Sequence, residues 1–584
     1  MTVAVRRLQR RPLPPAAALE ALRDLPPVLA RVLAARGVNS PDELAVDLAR
    51  LLPPDTFKGM AEATRVLGDA VTHGRRILVV GDYDADGATS TALCVSLLRA
   101  FGADVDFLVP DRVKHGYGLQ PVIVELAAER FPADAPGVIL TVDNGMSSHE
   151  GVLAARESGI AVVITDHHLP AVELPAADAI VNPNQPGCAF PSKCIAGVGV
   201  AFYVMSALRS ALRARGWFSA TRPEPNLADA LDLVALGTVA DVVPLDANNR
   251  VFVEQGLRRM RAGRMRPGIA ALIAVAKRNP ARLVAADLGF SVGPRLNAAG
   301  RLDDMAHGIR CLLARSDDEA QRLAAELDSL NRDRRYIEGD MQQEAVQVLS
   351  RLALDEGQLP NGVCLFDAGW HAGVVGIVAS RIKERCHRPV IAFAPACAGS
   401  DELRGSGRSI EGLHIRDAID AVAAHHPGLI ARFGGHAMAA GLTIARADFA
   451  TFARAFDAEV TRMLLPGALS PVLFTDGELP LAQLDLALAA QLRESVPWGQ
   501  AFPAPVFNGE FEVLEQRIVG EKHLKLVLSS AQASGKVIDA IHFNADTALW
   551  PNASRRVRAA CRVDVNEYRG VRTPQLIVEW IEPA

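Results

Sequence analysis

Between Arg76 and Pro183 five short apolar runs, RILVVG, ADVDFLVP, GVILTVD, IAVVITD and ADAIVNP, alternate with stretches of helical pattern. Runs this short, with no alternating polar face, need cover on both sides. They predict an α/β fold with a parallel sheet packed between helices, and they constrain whatever chemistry sits at the strand ends.

The chain of 584 residues is too long for one ordinary domain. Residues 1–65 have a helical pattern interrupted by the proline pairs Pro14-Pro15, Pro26-Pro27 and Pro53-Pro54, and carry no recognisable chemistry. Residues 66–310 hold the parallel sheet. Over residues 311–355 Leu323, Leu327, Leu330, Ile337, Met341, Ala345 and Val348 keep one stripe apolar, which predicts a long connecting helix. Residues 356–465 read as a second, smaller α/β unit, with strands GVCLFDAG and RPVIAFAP and a helix from about Val374 to Arg385. From 466 to 584 the pattern alternates in EFEVLEQRIVG, HLKLVLSS, KVIDAIHFN, VRAACRVDVNEYRG and TPQLIVEWIE, broken at Gly520, Gly535 and Arg569-Gly570. That predicts a small OB-like β-barrel.

Acids fall where the runs end. Asp82, Asp84 and Asp86 follow RILVV in GDYDADG, Asp143 follows GVIL, Asp166, His167 and His168 follow AVVI, and Asp241 follows DLVAL in GTVADVVP. Ligands of an open parallel sheet bind outside the carboxyl ends of its strands, so the motifs are expected to meet in one crevice. GDYDADG contains no Lys or Arg to separate its carboxylates. A divalent cation is the simplest counter-charge, and oxygen donors with imidazole suit Mn²⁺ or Mg²⁺, as two ions bridged by one carboxylate. An isolated Asp after a strand is more often a helix cap or turn former, and Asp166 fits that description.

GDYDADG, TVDNG, TDHH and ADVVP, in this order, resemble the successive motifs of the DHH phosphoesterase superfamily. The resemblance implies Asp84, Asp86, Asp143, His167 and Asp241 as metal ligands, Asp143 as the bridge, and His168 beside the scissile phosphate, with Asp86, Asp143 and His168 the catalytic set. Some relatives carry a metal-binding His at the position occupied here by Val80, and Asp82 is its candidate replacement.

GFSVGPRLNAAGRLDD, with Arg295, Asn297 and Arg301, resembles the close of the catalytic core in the RecJ family of exonucleases. DAGWHAGVVGIVASRI with His371, RGSGRS with Ser406, Arg408 and Ser409, and RFGGHAMAAG with Gly434, Gly435 and His436 resemble the second domain of DHH enzymes. PWGQAFPAPVF, KHLKL and NEYRGVRTPQLIVE resemble the RecJ OB-type domain. The match runs from about residue 66 to 584. It implies a single-stranded-DNA-specific 5′-to-3′ exonuclease of DNA repair and recombination, with a helicase and a single-strand-binding protein as partners. The alternatives are a DHH phosphodiesterase acting on short oligoribonucleotides or cyclic dinucleotides, and a binding protein with a silent site.

Local chemistry agrees with a phosphate-bearing substrate. Gly405 and Gly407 free the backbone to approach a ligand, and Ser406, Arg408 and Ser409 offer hydroxyl and guanidinium donors beside them. Arg112, His115, Gly116 and Tyr117 in PDRVKHGYG add donors after another strand. Arg258, Arg259, Arg261, Arg264 and Arg266 form one basic cluster, and six Arg between Arg555 and Arg572 form another. Aromatic candidates for base stacking are Trp370, Phe433, Trp498 and Tyr568. A formal charge of −5 neither requires nor forbids a polyanion. The eight cysteines lack zinc-site spacing, and no apolar window suits a membrane span. A cytoplasmic monomer with reduced thiols is expected.

Overall fold

The computed structural model describes residues 7–111, 115–132, 135–170, 173–355, 359–397, 399–530 and 535–584, with the backbone alone at 351–355. The first strand, β1 (Arg7–Arg10), lies in the segment expected to be helical. The first sheet contains β2 (Ile77–Gly81), β3 (Val105–Leu108), β4 (Val138–Val142), β5 (Ala161–Thr165) and β6 (Ala179–Val181). All its pairs are parallel, in the order β3-β2-β4-β5-β6. The predicted runs became these strands because β2 and β4 are buried at every position, beneath helices that include Ala85–Ala100 and Gly197–Ala214. Chain direction across the sheet reverses between β2 and β4, so a crevice opens at the carboxyl ends of those two strands.

The connecting helix spans Asp317–Asp355, 39 residues, or about 58 Å at the usual rise. Leu323 and Leu327 pack in the core of the first body, whereas Met341, Ala345 and Leu349 pack with Val375, Val378 and Ile382 of the second. One rigid element therefore joins two cores. The second sheet contains β7 (Val363–Phe366), β8 (Val390–Pro395), β9 (Glu402–Arg408), β10 (Arg432–Gly435) and β11 (Ala439–Ala445), in the order β10-β11-β9-β8-β7. The helix expected near Val374 spans Val375–Cys386.

RGSGR, read from sequence as backbone free to approach a ligand, is a regular strand segment. It lies within β9, paired with β8 on one side and β11 on the other. Its glycines serve packing. A Cβ at Gly405 would lie 2.5 Å from the Phe393 ring and 2.7 Å from Leu442, and one at Gly407 would lie 2.8 Å from Ile415. Strand alternation then sends Arg404, Ser406 and Arg408 to the opposite face.

Next, β12 (Val472–Thr475) pairs in parallel with β1, fastening the amino-terminal segment to the entrance of the last domain. Arg36 reinforces this junction with two bonds to Asp476, at 2.7 and 3.0 Å. The closed barrel contains β13 (Phe507–Val519), β14 (His523–Ser529), β15 (Val537–His542), β16 (Arg556–Tyr568) and β17 (Val571–Pro583). Its turns use left-handed backbone at Gly520, Gly535 and Arg569-Gly570, the positions read from sequence. Among the described residues, no helix is long and apolar enough to cross a membrane.

Candidate metal centre

The first motif turns immediately beyond β2. Asp84 caps helix Ala85–Ala100 by accepting from the N–H groups of Asp86 and Gly87 at 2.9 and 3.1 Å. Asp86 is buried on the first turn, where its Oδ2 and Oδ1 accept from the N–H groups of Gly197 and Val198 at 2.6 and 2.9 Å. The start of one helix thus holds a carboxylate carried by another. Gly197 is required for the approach, since a Cβ there would lie 2.8 Å from Asp143 Oδ1. Sequence reasoning missed Gly197, and its signal was the glycine-rich start of the apolar helix in AGVGVAF.

Asp143, beyond β4, is buried and has a φ of 62°. Beyond β5, Asp166 accepts from the N–H groups of Met146, His167 and His168 at 3.0, 2.7 and 3.1 Å. It also holds His168 Nδ1 at 2.7 Å, so its role as turn former includes orienting that ring. Asp241 arrives differently from the expectation: Leu231–Ala240 is a helix, not a strand, and Asp241 is its C-cap. The run is buried on all sides, and an unbroken apolar pattern does not distinguish a buried helix from a buried strand.

These groups converge. His167 Nε2 lies 3.0 Å from Asp143 Oδ1, 3.5 Å from Asp241 Oδ2 and 3.9 Å from Asp86 Oδ2, while His168 Nδ1 is 4.0 Å from Asp143 Oδ1. Donor atoms of Asp86, His167 and Asp241 fall within 4.8 Å of one another, as do those of Asp82, Asp84 and Asp143, and those of Asp143, His167 and His168. Two carboxylates about 4 Å apart repel by about 4 kcal/mol at an effective dielectric constant of about 20. Burial and neighbouring acids raise Asp86 to about 7, and burial and Asp84 raise Asp241 to about 8. Asp143 is held well above the carboxylate range by burial and Asp86. Burial and His168 lower His167, leaving a neutral imidazole suited to ligation. At Asp166 burial opposes ionisation, but His168 overcomes it and holds the carboxyl at about 2. Burial likewise opposes the charged form of His168, yet Asp166 raises it to about 10.

The donor set fits divalent ions. Asp143 Oδ1, His167 Nε2 and Asp241 Oδ2 are buried without a hydrogen-bond partner, a combination that is costly unless a cation satisfies it. Val80 lies buried within β2, and Asp82 joins the cluster containing Asp84 and Asp143.

The expected substrate residues divide into groups. Asn297 accepts the Ala85 N–H at 2.7 Å, which fixes the start of the first-motif helix. Arg301 donates to Gly373 O at 3.1 Å, and His371 Nδ1 accepts the Gly373 N–H at 3.1 Å, so both sit where the first body meets the second. Arg408 and Ser406 face Gly376, where a Cβ would lie 2.9 Å from Arg408 Nη2 and 3.5 Å from Ser406 Oγ. Gly434 and Gly435 form the end of β10, and Gly435 has a φ of 144°, opening the turn that carries His436. His115 Nδ1 accepts the Asp111 N–H at 3.1 Å. Arg112 lies outside the described residues.

Two residues are committed elsewhere. Arg295 is buried and pairs with Asp328 of the connecting helix at 2.8 Å, and Ser409 is buried and donates to Leu413 O at 2.7 Å. Neither is placed to hold a phosphate, because a buried donor with a partner leaves it only at a cost. The first basic cluster is largely structural as well: Arg258 and Arg261 pair with Glu254, Arg259 with Asp229 and Arg266 with Asp232. Trp370 is buried and donates to Glu344 at 2.8 Å, so it fills core, whereas Trp498 stacks on Phe502 and is half-buried. Between the first body and the barrel runs a cleft of about 770 Å³, whose lining includes Arg282, Phe290, Phe543, Arg562, Arg569 and Arg572. Phe290 and Phe543 stand exposed there, an aromatic supply that the sequence reading did not identify.

Residues 76–238 match the DHH family, N-terminal domain, residues 359–462 the DHHA1 domain, and residues 475–580 the RecJ OB domain. The chain is 53% identical over 582 residues to the single-stranded-DNA-specific exonuclease RecJ of Dickeya dadantii, covering 99% of each chain. It is 52% identical over 563 residues to the exonuclease of the same name from Escherichia coli, covering 96% of each. The crystal structure of RecJ in complex with Mn²⁺ from Thermus thermophilus superposes with a TM-score of 0.78 at 30% identity, covering 98% of this chain and 78% of that one. The Mg²⁺ complex from the same organism gives 0.72 at 28% identity, covering 98% and 77%. With its three matched domains in order and this identity across nearly its whole length, the chain belongs to the RecJ family of DHH proteins.

Proposed function

We propose that the protein is a metal-dependent exonuclease that degrades single-stranded DNA from the 5′ end, hydrolysing phosphodiester bonds. The observation that carries this reading is the convergence of three buried, unpartnered atoms, Asp143 Oδ1, His167 Nε2 and Asp241 Oδ2, at the switch point of the first sheet. Asp86, His167 and Asp241 would hold one divalent ion and Asp82, Asp84 and Asp143 a second, with Asp143 between them. When bound, Mn²⁺ or Mg²⁺ supplies Lewis acidity, which activates water and neutralises charge on the phosphoryl oxygens.

The chain's own groups do the rest. Asp166 fixes His168 with its charge in place, so the ring offers a hydrogen bond to a non-bridging phosphate oxygen. Ser406 and Arg408, on one face of β9, are suited to a terminal 5′ phosphate, which would give exonucleolytic rather than internal cutting. In the 770 Å³ cleft Arg282, Arg562 and Arg572 pair with Glu567, Glu579 and Glu494, so Arg569 and the exposed Phe290 and Phe543 are the groups there suited to the backbone and bases of a strand. A substrate of only two nucleotides would have no use for that surface. A helicase and a single-strand-binding protein would supply and manage such a strand. The eight free cysteines suit a reducing, cytoplasmic setting.

The test is incubation with end-labelled single- and double-stranded DNA in Mn²⁺, with and without a 5′ phosphate. Mononucleotide release from the 5′ end of single strands is expected. Preferential cleavage of dinucleotides, or release from the 3′ end, would overturn the assignment.

A further inference from the structure

Asp143 is held in left-handed backbone, a conformation that costs a residue with a Cβ about 1–3 kcal/mol unless its surroundings enforce it. Its N–H is secured by Thr165 O at 3.0 Å. Its carbonyl, turned out of the sheet, is met by the hydroxyl of Tyr117 at 3.3 Å. The same hydroxyl lies 3.3 Å from His168 Nδ1. That nitrogen is 2.7 Å from Asp166 Oδ1 and gives its proton there, so the hydroxyl proton goes to the Asp143 carbonyl.

The ring of Tyr117 completes the arrangement. It meets His168 edge-on with centroids 5.9 Å apart, and meets Tyr83 in the same manner at 6.2 Å. Tyr83 sits between Asp82 and Asp84. One side chain therefore touches the first, second and third acidic motifs. Its own segment is anchored from behind, by Gln120 Nε2 donating to Tyr117 O at 2.8 Å and by the Leu119 N–H donating to Ser148 Oγ at 3.0 Å.

We infer that Tyr117 is a positioning residue: its hydroxyl holds the Asp143 main chain in the conformation that sets its carboxylate among Asp82, Asp84 and His167, and its ring sets His168 against the same centre. The activity part of the test rests on the nuclease reading, whereas the metal-binding part does not. Tyr117→Phe removes only the oxygen and leaves the packing. With the full chain, Mn²⁺ alone is titrated while free Mn²⁺ is followed by electron paramagnetic resonance, and kcat and KM are measured on a 5′-phosphorylated single strand. The variant is expected to bind Mn²⁺ several-fold more weakly and to lose about tenfold in kcat with KM within about twofold, the size set by one lost hydrogen bond to a buried carbonyl. Tyr117→Leu, which also removes the ring contacts, is expected to lose more. Weakened Mn²⁺ binding in Tyr117→Phe, even if the wild type degraded no DNA, would support the positioning role while removing the nuclease reading. Unchanged Mn²⁺ affinity and kcat in Tyr117→Phe, or a rise in KM alone, would overturn it.

Discussion

The rings of His168 and His436 stack with centroids 5.6 Å apart and planes 22° from parallel, joining a strand-end motif of the first sheet to the β10–β11 hairpin of the second. Asp166 keeps His168 charged. Burial, and then the charge of His168, lower His436, so a neutral ring lies against a cationic one. The second body thereby reaches the metal centre through one side chain. His436→Ala should reduce the rate on single strands by about ten- to a hundredfold, the range for partners that orient a metal-site group. The thermal midpoint should move little, because His436 lies on a turn outside the packed clusters. Comparing rate and melting curves checks both parts.

Asp143 is the acid shared by two donor clusters. Asp143→Ala should bring Mn²⁺-dependent turnover to background while circular dichroism shows an intact fold. Substantial metal-stimulated activity in the variant would remove the bridging assignment.

Metal should also stabilise the chain, because without a cation the repulsion among Asp82, Asp84, Asp86, Asp143 and Asp241 is relieved only in part, by protons taken up at the raised carboxyls. At a hundred times its dissociation constant, an ion bound only by the folded state adds about 2.7 kcal/mol. Differential scanning fluorimetry should show the melting temperature rising on adding Mn²⁺ and falling back with chelator. Insensitivity to both would contradict the cation-holding role of the cluster.

Arg295 and Arg408 should separate by phenotype. Arg295→Ala removes the 2.8 Å pair with Asp328, which keeps Arg332 at 3.8 Å, and should cost about 1–2 kcal/mol of stability, read as a lower denaturation midpoint. Arg408→Ala should leave the midpoint nearly unchanged and abolish the advantage of a 5′ phosphate on the substrate. Equal effects of the two substitutions on phosphate preference would refute this division.

Gly405→Ala should destabilise the second body by about 1–3 kcal/mol, since the added Cβ meets the Phe393 ring and Leu442 in a filled core. Urea denaturation checks the value. A neutral result would show that β9 has room its packing denies.

Local pattern was enough to read the parallel sheet, the connecting helix and the barrel. The strands β2, β4 and β5 are apolar but for one threonine each in β4 and β5, the helix keeps one stripe, and the barrel alternates between marked turns. The acids of the centre were legible for the same reason: a strand end is a local property, and its crevice follows from parallel topology. Local pattern did not reveal which side Asp241 comes from, because LDLVALGTVA is mostly apolar and buried on all sides, so it carries no period. Nor did it reveal that RGSGR is a central strand, that Arg295 is spent on Asp328, or that His436 meets His168. Those depend on partners distant in the chain. A glycine looks the same in a loop as under a phenylalanine ring, and an arginine reads as a free cation until folding brings its carboxylate. Local order along the chain sets the elements and the chemistry at their ends; contacts made on folding settle which charges are used up in holding the fold and which remain for metal and substrate.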